Sequence, residues 1–76
     1  MSKFSTSDLN LACTLMTLGY SFDGMDKAEV GRIQFIFTDK GDSIDSDVNG
    51  YWQRTLKVEP QAFALNFRSL KNMLHQ

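Results

Sequence analysis

The stretch Asp45-Ser46-Asp47-Val48-Asn49-Gly50 carries oxygen ligands at the spacing of a calcium loop. Asp45, Asp47 and Asn49 fall at its first, third and fifth positions, and Gly50 at the sixth, where such a loop turns sharply. The twelfth position must be a bidentate Glu, because two oxygens there complete the coordination shell; counting from Asp45, that position is Leu56. No carboxylate follows Asp47 until Glu59, Trp52 occupies the eighth position, and no second loop exists to pair with this one. The stretch therefore reads as the acidic opening of a helix, whose dipole favours Asp45 in its first turn. No metal site is expected.

Catalysis by proton transfer needs two groups whose protonation states differ. The chain has one histidine, His75, read as a solvated helix end, and one cysteine, Cys13, set in an apolar run and read as a small buried hydrophobe. One Cys and one His build neither an intramolecular disulfide nor a zinc site. The GxGxxG, GxxxxGK[ST], HExxH and CxxC patterns are absent. No catalytic residue and no cofactor are expected, and the chain is read as a non-enzyme.

Binding chemistry is better represented. Tyr51-Trp52-Gln53-Arg54 and Phe67-Arg68-Ser69-Leu70-Lys71 set aromatic rings beside cations, a combination that can stack a base, neutralise phosphate or anchor a protein interface. Trp52, Arg54, Arg68 and Lys71 are the candidate binding residues. The plainer reading puts Tyr51 and Trp52 in the core beneath the last helix, with Arg54, Arg68 and Lys71 solvating its back.

Charge is unevenly spread over the 76 residues. Residues 1–50 carry four cations against eight anions, net −4, while residues 51–76 carry Arg54, Lys57, Arg68 and Lys71 against Glu59, net +3. Asp42, Asp45 and Asp47 concentrate the negative pole. The split suits a polar binding face or head-to-tail association, and falls short of a strongly basic nucleic-acid domain. A chain this short buries only about 60 to 65% of the surface its unfolded form exposes, and its core supplies about 3 to 5 kcal/mol unless a partner adds to it. Self-association is therefore expected. No signal peptide and no membrane span are read, and a cytoplasmic location is expected.

The elements that must position these groups follow from periodicity. Ser5 and Asp8 resemble a capping box opening a helix that Gly19 closes, with Leu11, Ala12, Leu15 and Leu18 on one stripe. From Gly19 the period becomes two: Ile33, Phe35 and Phe37 share a face against Arg32, Gln34 and Thr38, giving a hairpin connected through Asp26–Gly31, with Ile36 as an apolar residue on its polar face. Ser43 or Asp42 caps a second helix to about Leu56, with Ile44, Val48, Tyr51 and Thr55 on its stripe and Gly50 as a position where it could break. Pro60 opens a third helix, on which Phe63, Phe67, Leu70 and Leu74 face the core and Arg68, Lys71 and His75 form a basic stripe. The expected architecture is a single α+β domain over residues 1–76: helix, two-stranded antiparallel hairpin, helix, helix, with the hairpin on one side of a three-helix cluster.

The succession "FSTSDLNLACTLMTLGY", "IQFIFTD" and "YWQRTLKVEPQAFALNFRSLKNML" resembles a family of short uncharacterised proteins of bacteria and their phages. The likeness spans nearly the whole chain and lies in a helix ending Leu18-Gly19, an F-x-F strand, the Tyr51-Trp52 pair and a closing helix with Arg68-Ser69-Leu70-Lys71. It implies a phage or prophage accessory protein and no activity; Glu59, where Asp would cap better, departs from the pattern. Two functions follow as expectations. The first is a small non-catalytic protein that occupies a protein surface as inhibitor or adaptor, as a homo-oligomer, through the Asp-rich segment or exposed apolar residues. The alternative is a nucleic-acid adaptor using Arg54, Arg68 and Lys71.

Overall fold

A computed structural model describes residues 2–29, 31–39, 41 and 43–75. The elements are β1 (Ser2–Thr6), α1 (Leu9–Thr17), β2 (Ser21–Glu29), β3 (Arg32–Asp39), α2 (Ile44–Gln53) and α3 (Pro60–Leu74). Among the described residues the fold is a small α+β arrangement of three helices and one three-stranded antiparallel sheet of order β1-β3-β2. The expected helix, hairpin, helix, helix order is therefore corrected by a strand ahead of the first helix. Ser2 to Thr6 contain one large apolar residue, Phe4, too few for a visible alternation; the strand exists because the far edge of β3 is there to pair with, placing Phe4 opposite Phe37.

β1 and β2 both run antiparallel to β3, so β1-α1-β2 is a crossover between parallel strands split by β3. Phe35 and Phe37 point to the helices and are buried, with Phe4, Phe22 and Met25 beside them. Phe22 and Phe37 pack tilted, ring centroids 5.4 Å apart. The other face carries Lys3, Asp23 and Thr38, one from each strand. Lys3 Nζ lies 2.6 Å from Asp23 and 3.0 Å from the Thr38 hydroxyl, which donates to Asp23. Asp23 is the extra residue of a bulge between the Phe22–Phe37 and Gly24–Ile36 pairs, and the bulge turns its carboxylate to this polar face. Ile36 is half-buried between Ser5 and Gly24 rather than exposed. β2 continues to Glu29, so the connection is shorter than Asp26–Gly31; residue 30 of that span lies outside the described residues.

Residues Leu11 to Leu15 are buried without a break, because α1 is covered by the sheet on one side and by α3 on the other. Asp8, not Ser5, is its N-cap: the carboxylate accepts the Leu11 N–H at 3.0 Å, while Ser5 lies in β1. At the other end Tyr20 N–H donates to Leu15 O at 3.1 Å and Gly19 N–H to Met16 O at 3.0 Å, a Schellman pair with Gly19 at φ 99°. Asn66 of α3 donates to the Thr17 hydroxyl at 3.0 Å, fixing α3 against the last turn of α1. Leu70 completes the core from α3 and Ile44 from α2.

Ser43 is at the N-cap position of α2 without a capping bond from its side chain; the buried Asp39 takes that part, accepting from Ile44 N–H at 3.0 Å and Gly41 N–H at 3.2 Å. Asp42 lies outside the described residues. The helix runs through Gly50 and stops at Gln53, short of the expected Leu56, so Thr55 leaves the stripe. Leu56 folds back until its Cδ2 lies 3.1 Å from where a Cβ on Gly50 would be, which explains a glycine inside a helix. Glu59 caps α3 by accepting the Ala62 N–H, and Pro60 occupies the first turn as expected.

Candidate functional site

The aromatic pair at the end of α2 divides. Tyr51 turns inward and packs on the core, where burial and then the Asp8 carboxylate raise its hydroxyl above the usual tyrosine range. Trp52 turns outward and is 62% exposed, its ring meeting Tyr51 edge to face at 5.0 Å between centroids. The reading that buries Trp52 beneath the last helix is therefore corrected. One helical step of about 100 degrees moves Trp52 from the stripe of Ile44, Val48 and Tyr51 to the side that carries Asp45 and Asn49, both exposed. Arg54 follows in the left-handed region at φ 63°, its side chain exposed. Its N–H donates to Tyr51 O at 3.1 Å and Thr55 N–H to Gly50 O at 3.0 Å, the bonding that Gly19 makes possible after α1.

Arg68 and Lys71 lie elsewhere, on the rim of a shallow groove of about 610 Å³ along α3. Its floor is Phe63, Ala64 and Phe67, and Asn72 closes one end. The two Phe rings are 6.3 Å apart, and Lys71 Nζ stands 5.7 Å from the Phe67 centroid, a cation–π distance. The groove arises because the apolar stripe of α3 is wider than α1 covers: Leu70 is fully buried at its centre, while Phe63 and Phe67 at its margin are half-buried. Leu65, 60% exposed, lies on the outer side of α3 and does not line the groove.

The structure thus brings Arg68 and Lys71 together and leaves Trp52 and Arg54 at a separate place at the end of α2; neither lines the groove. Among the described residues, Arg54, Arg68 and Lys71 make no ion pair, and the pair that is formed, Lys3–Asp23, joins two residues of the acidic half. His75 is exposed at the end of α3. The sequence reading missed the groove floor, assigning Phe63 and Phe67 wholly to the core; the adjoining Arg68 and Lys71 on the next face were its visible signal.

Asp47 is not a free ligand. It accepts a hydrogen bond from the Tyr20 hydroxyl, which also lies 2.8 Å from Ser43 Oγ. With residues 44–53 helical, the calcium loop cannot form, and among the described residues no three His, Cys, Asp or Glu side chains gather at a metal-binding distance. Cys13 is fully buried and its thiol is pushed up to about 11 by burial and then by Asp8, so it holds its proton at neutral pH. A second cavity of about 330 Å³, between Leu9, Arg32, Ile33, Phe35 and Leu74, has one charged lining residue, Arg32. No helix among the described residues is long and apolar enough to cross a membrane.

No curated protein and no solved structure matches the chain. A family model matches residues 1–76 throughout, and the chain belongs to that family, a domain of unknown function, DUF5659.

Proposed function

We propose that the chain is a non-catalytic, cytoplasmic binding protein, an inhibitor or adaptor, that docks an acidic amphipathic segment of a partner protein in the α3 groove. The observation that carries this reading is an apolar floor, Phe63 and Phe67, rimmed by Arg68 and Lys71, neither of which has an anionic partner among the described residues. Such a site recognises an apolar anchor with carboxylates beside it, since the anchor excludes water and the flanking charges fix register and speed association. The resemblance to phage and bacterial chains supports an accessory role of this kind.

The test is fluorescence polarisation with a labelled acidic amphipathic peptide carrying one aromatic anchor, against a basic peptide of the same pattern. Binding of the acidic peptide alone, lost on Arg68→Glu with Lys71→Glu, is expected; equal binding of both peptides or of neither overturns the reading. A second reading rests on Trp52, whose exposed ring beside Arg54 offers a stacking platform for a nucleic-acid base. A gel shift with single-stranded nucleic acid that disappears between about 50 and 200 mM salt would favour it.

A further inference from the structure

We infer that the α3 groove is filled by Trp52 of a second copy of this chain, whose α2 lies antiparallel across it with Asp45 facing Lys71. The inference rests on the reading of the groove as a protein-docking surface and names its occupant. The chain itself presents what the groove recognises. Among the described residues Trp52 is the most exposed large hydrophobic, 62%, and it stands on the outer side of α2 with Asp45 seven residues before it. Seven residues return to nearly the same helix face and span about 10 Å. On α3, the distance from the middle of the Phe63–Phe67 floor to Lys71 is six residues, about 9 Å, so ring and carboxylate can be engaged together. The order Asp45 then Trp52 on α2 and floor then cation on α3 requires the two helices to run antiparallel.

Trp52 cannot reach the groove of its own chain. Asp39 holds the start of α2, and Ile44, Val48 and Tyr51 press its opposite face into the core, so the indole is directed away from the fold. Charge favours a second copy over an unrelated apolar surface. The exposed Asp45 belongs to the acidic half and Arg68 and Lys71 to the basic half, and among the described residues no ion pair joins these two halves within one chain. In the pair, the indole covers Phe63 and Phe67, and Asp45 meets the ammonium of Lys71 at the edge of the Phe67 ring.

The test uses the full chain and its only tryptophan. Light scattering and Trp52 emission are recorded from low micromolar to near millimolar concentration. Mass is expected to rise and emission to shift to the blue over the same range, and Trp52→Ala should abolish the rise. Asp45→Lys, and separately Arg68→Glu with Lys71→Glu, should each weaken association by about tenfold or more, and the three changes combined should restore it. All four positions are exposed, and circular dichroism confirms that the variants fold. A wild-type chain that stays monomeric, or associates with unshifted emission, overturns the inference. If the monomeric chain still binds the acidic peptide, the docking groove stands and only its occupant is wrong; if it binds neither, both fail.

Discussion

The Tyr20 hydroxyl donates a hydrogen bond to the Asp47 carboxylate, joining the residue beyond the Schellman turn of α1 to the first turn of α2. Because Ser43 shares the hydroxyl, one phenol holds both the N-cap position and the acidic turn of α2. Tyr20→Phe should lower the free energy of unfolding by about 1 to 2 kcal/mol in urea denaturation, as expected for a partly buried bond to a charged acceptor. Burial and then the Asp47 bond raise the Tyr20 pKa above its ordinary value of 10.0, the Ser43 bond opposing them. The folded chain therefore holds this proton more tightly than the unfolded chain. The resulting stability is present below the unfolded value and is lost as pH rises through the folded one. Above pH 10 the wild type should lose stability more steeply than Tyr20→Phe, with Tyr51, also raised, leaving a residual slope in both.

Asp39 is the buried counterpart of that surface clasp. Its carboxylate accepts from Gly41 N–H and Ile44 N–H at the end of β3, so sheet and helix are joined by a side chain 2% exposed. Asp39→Ala would leave two backbone donors without their acceptor and should cost about 2 to 4 kcal/mol, measured as a lower urea midpoint with an unchanged slope. Ser43→Ala, which removes no capping bond, should cost less than about 1 kcal/mol.

The contrast explains what was legible in the sequence. A cap is expected next to its helix, so Ser43 or Asp42 was the natural choice, whereas the residue that caps α2 comes from the end of a strand. β1 was hidden for a related reason: its pairing with β3 is a tertiary event, and Phe4 alone marks its inner face. The helices and the β2–β3 hairpin were readable because Leu11 to Leu15, Phe35 and Phe37, and Phe63 to Leu74 carry their own periods. Within the candidate site, the cationic edge of α3 was visible, but not that Phe63 and Phe67 stay half-open, which depends on how far α1 reaches. The outward turn of Trp52 was equally invisible, since a large aromatic beside a core stripe fits either side.

Cys13 lies at the centre of the α1 core with its thiol raised to about 11 by burial and then Asp8. At pH 8 the folded chain should resist alkylation by iodoacetamide, with modification following the rate of global unfolding in increasing urea. Cys13→Ser should destabilise by about 1 to 3 kcal/mol, because a hydroxyl in this apolar setting loses its water partners.

Arg54 occupies the left-handed position that glycine fills after α1, and a side chain there costs about 1 to 2 kcal/mol. Arg54→Gly should therefore raise stability by about 1 kcal/mol, and Tm by about 4 to 8 °C for a chain of this size. Arg54→Ala keeps the backbone strain and should show no such gain, which separates relief of strain from removal of charge. The Arg54 side chain is exposed two residues after Trp52, so the two variants bear on binding as well. Under the protein-docking reading Arg54 lies off the groove, and both variants should bind the acidic peptide with wild-type affinity. A loss of nucleic-acid binding in both, with peptide binding intact, would assign Arg54 and Trp52 to a second surface.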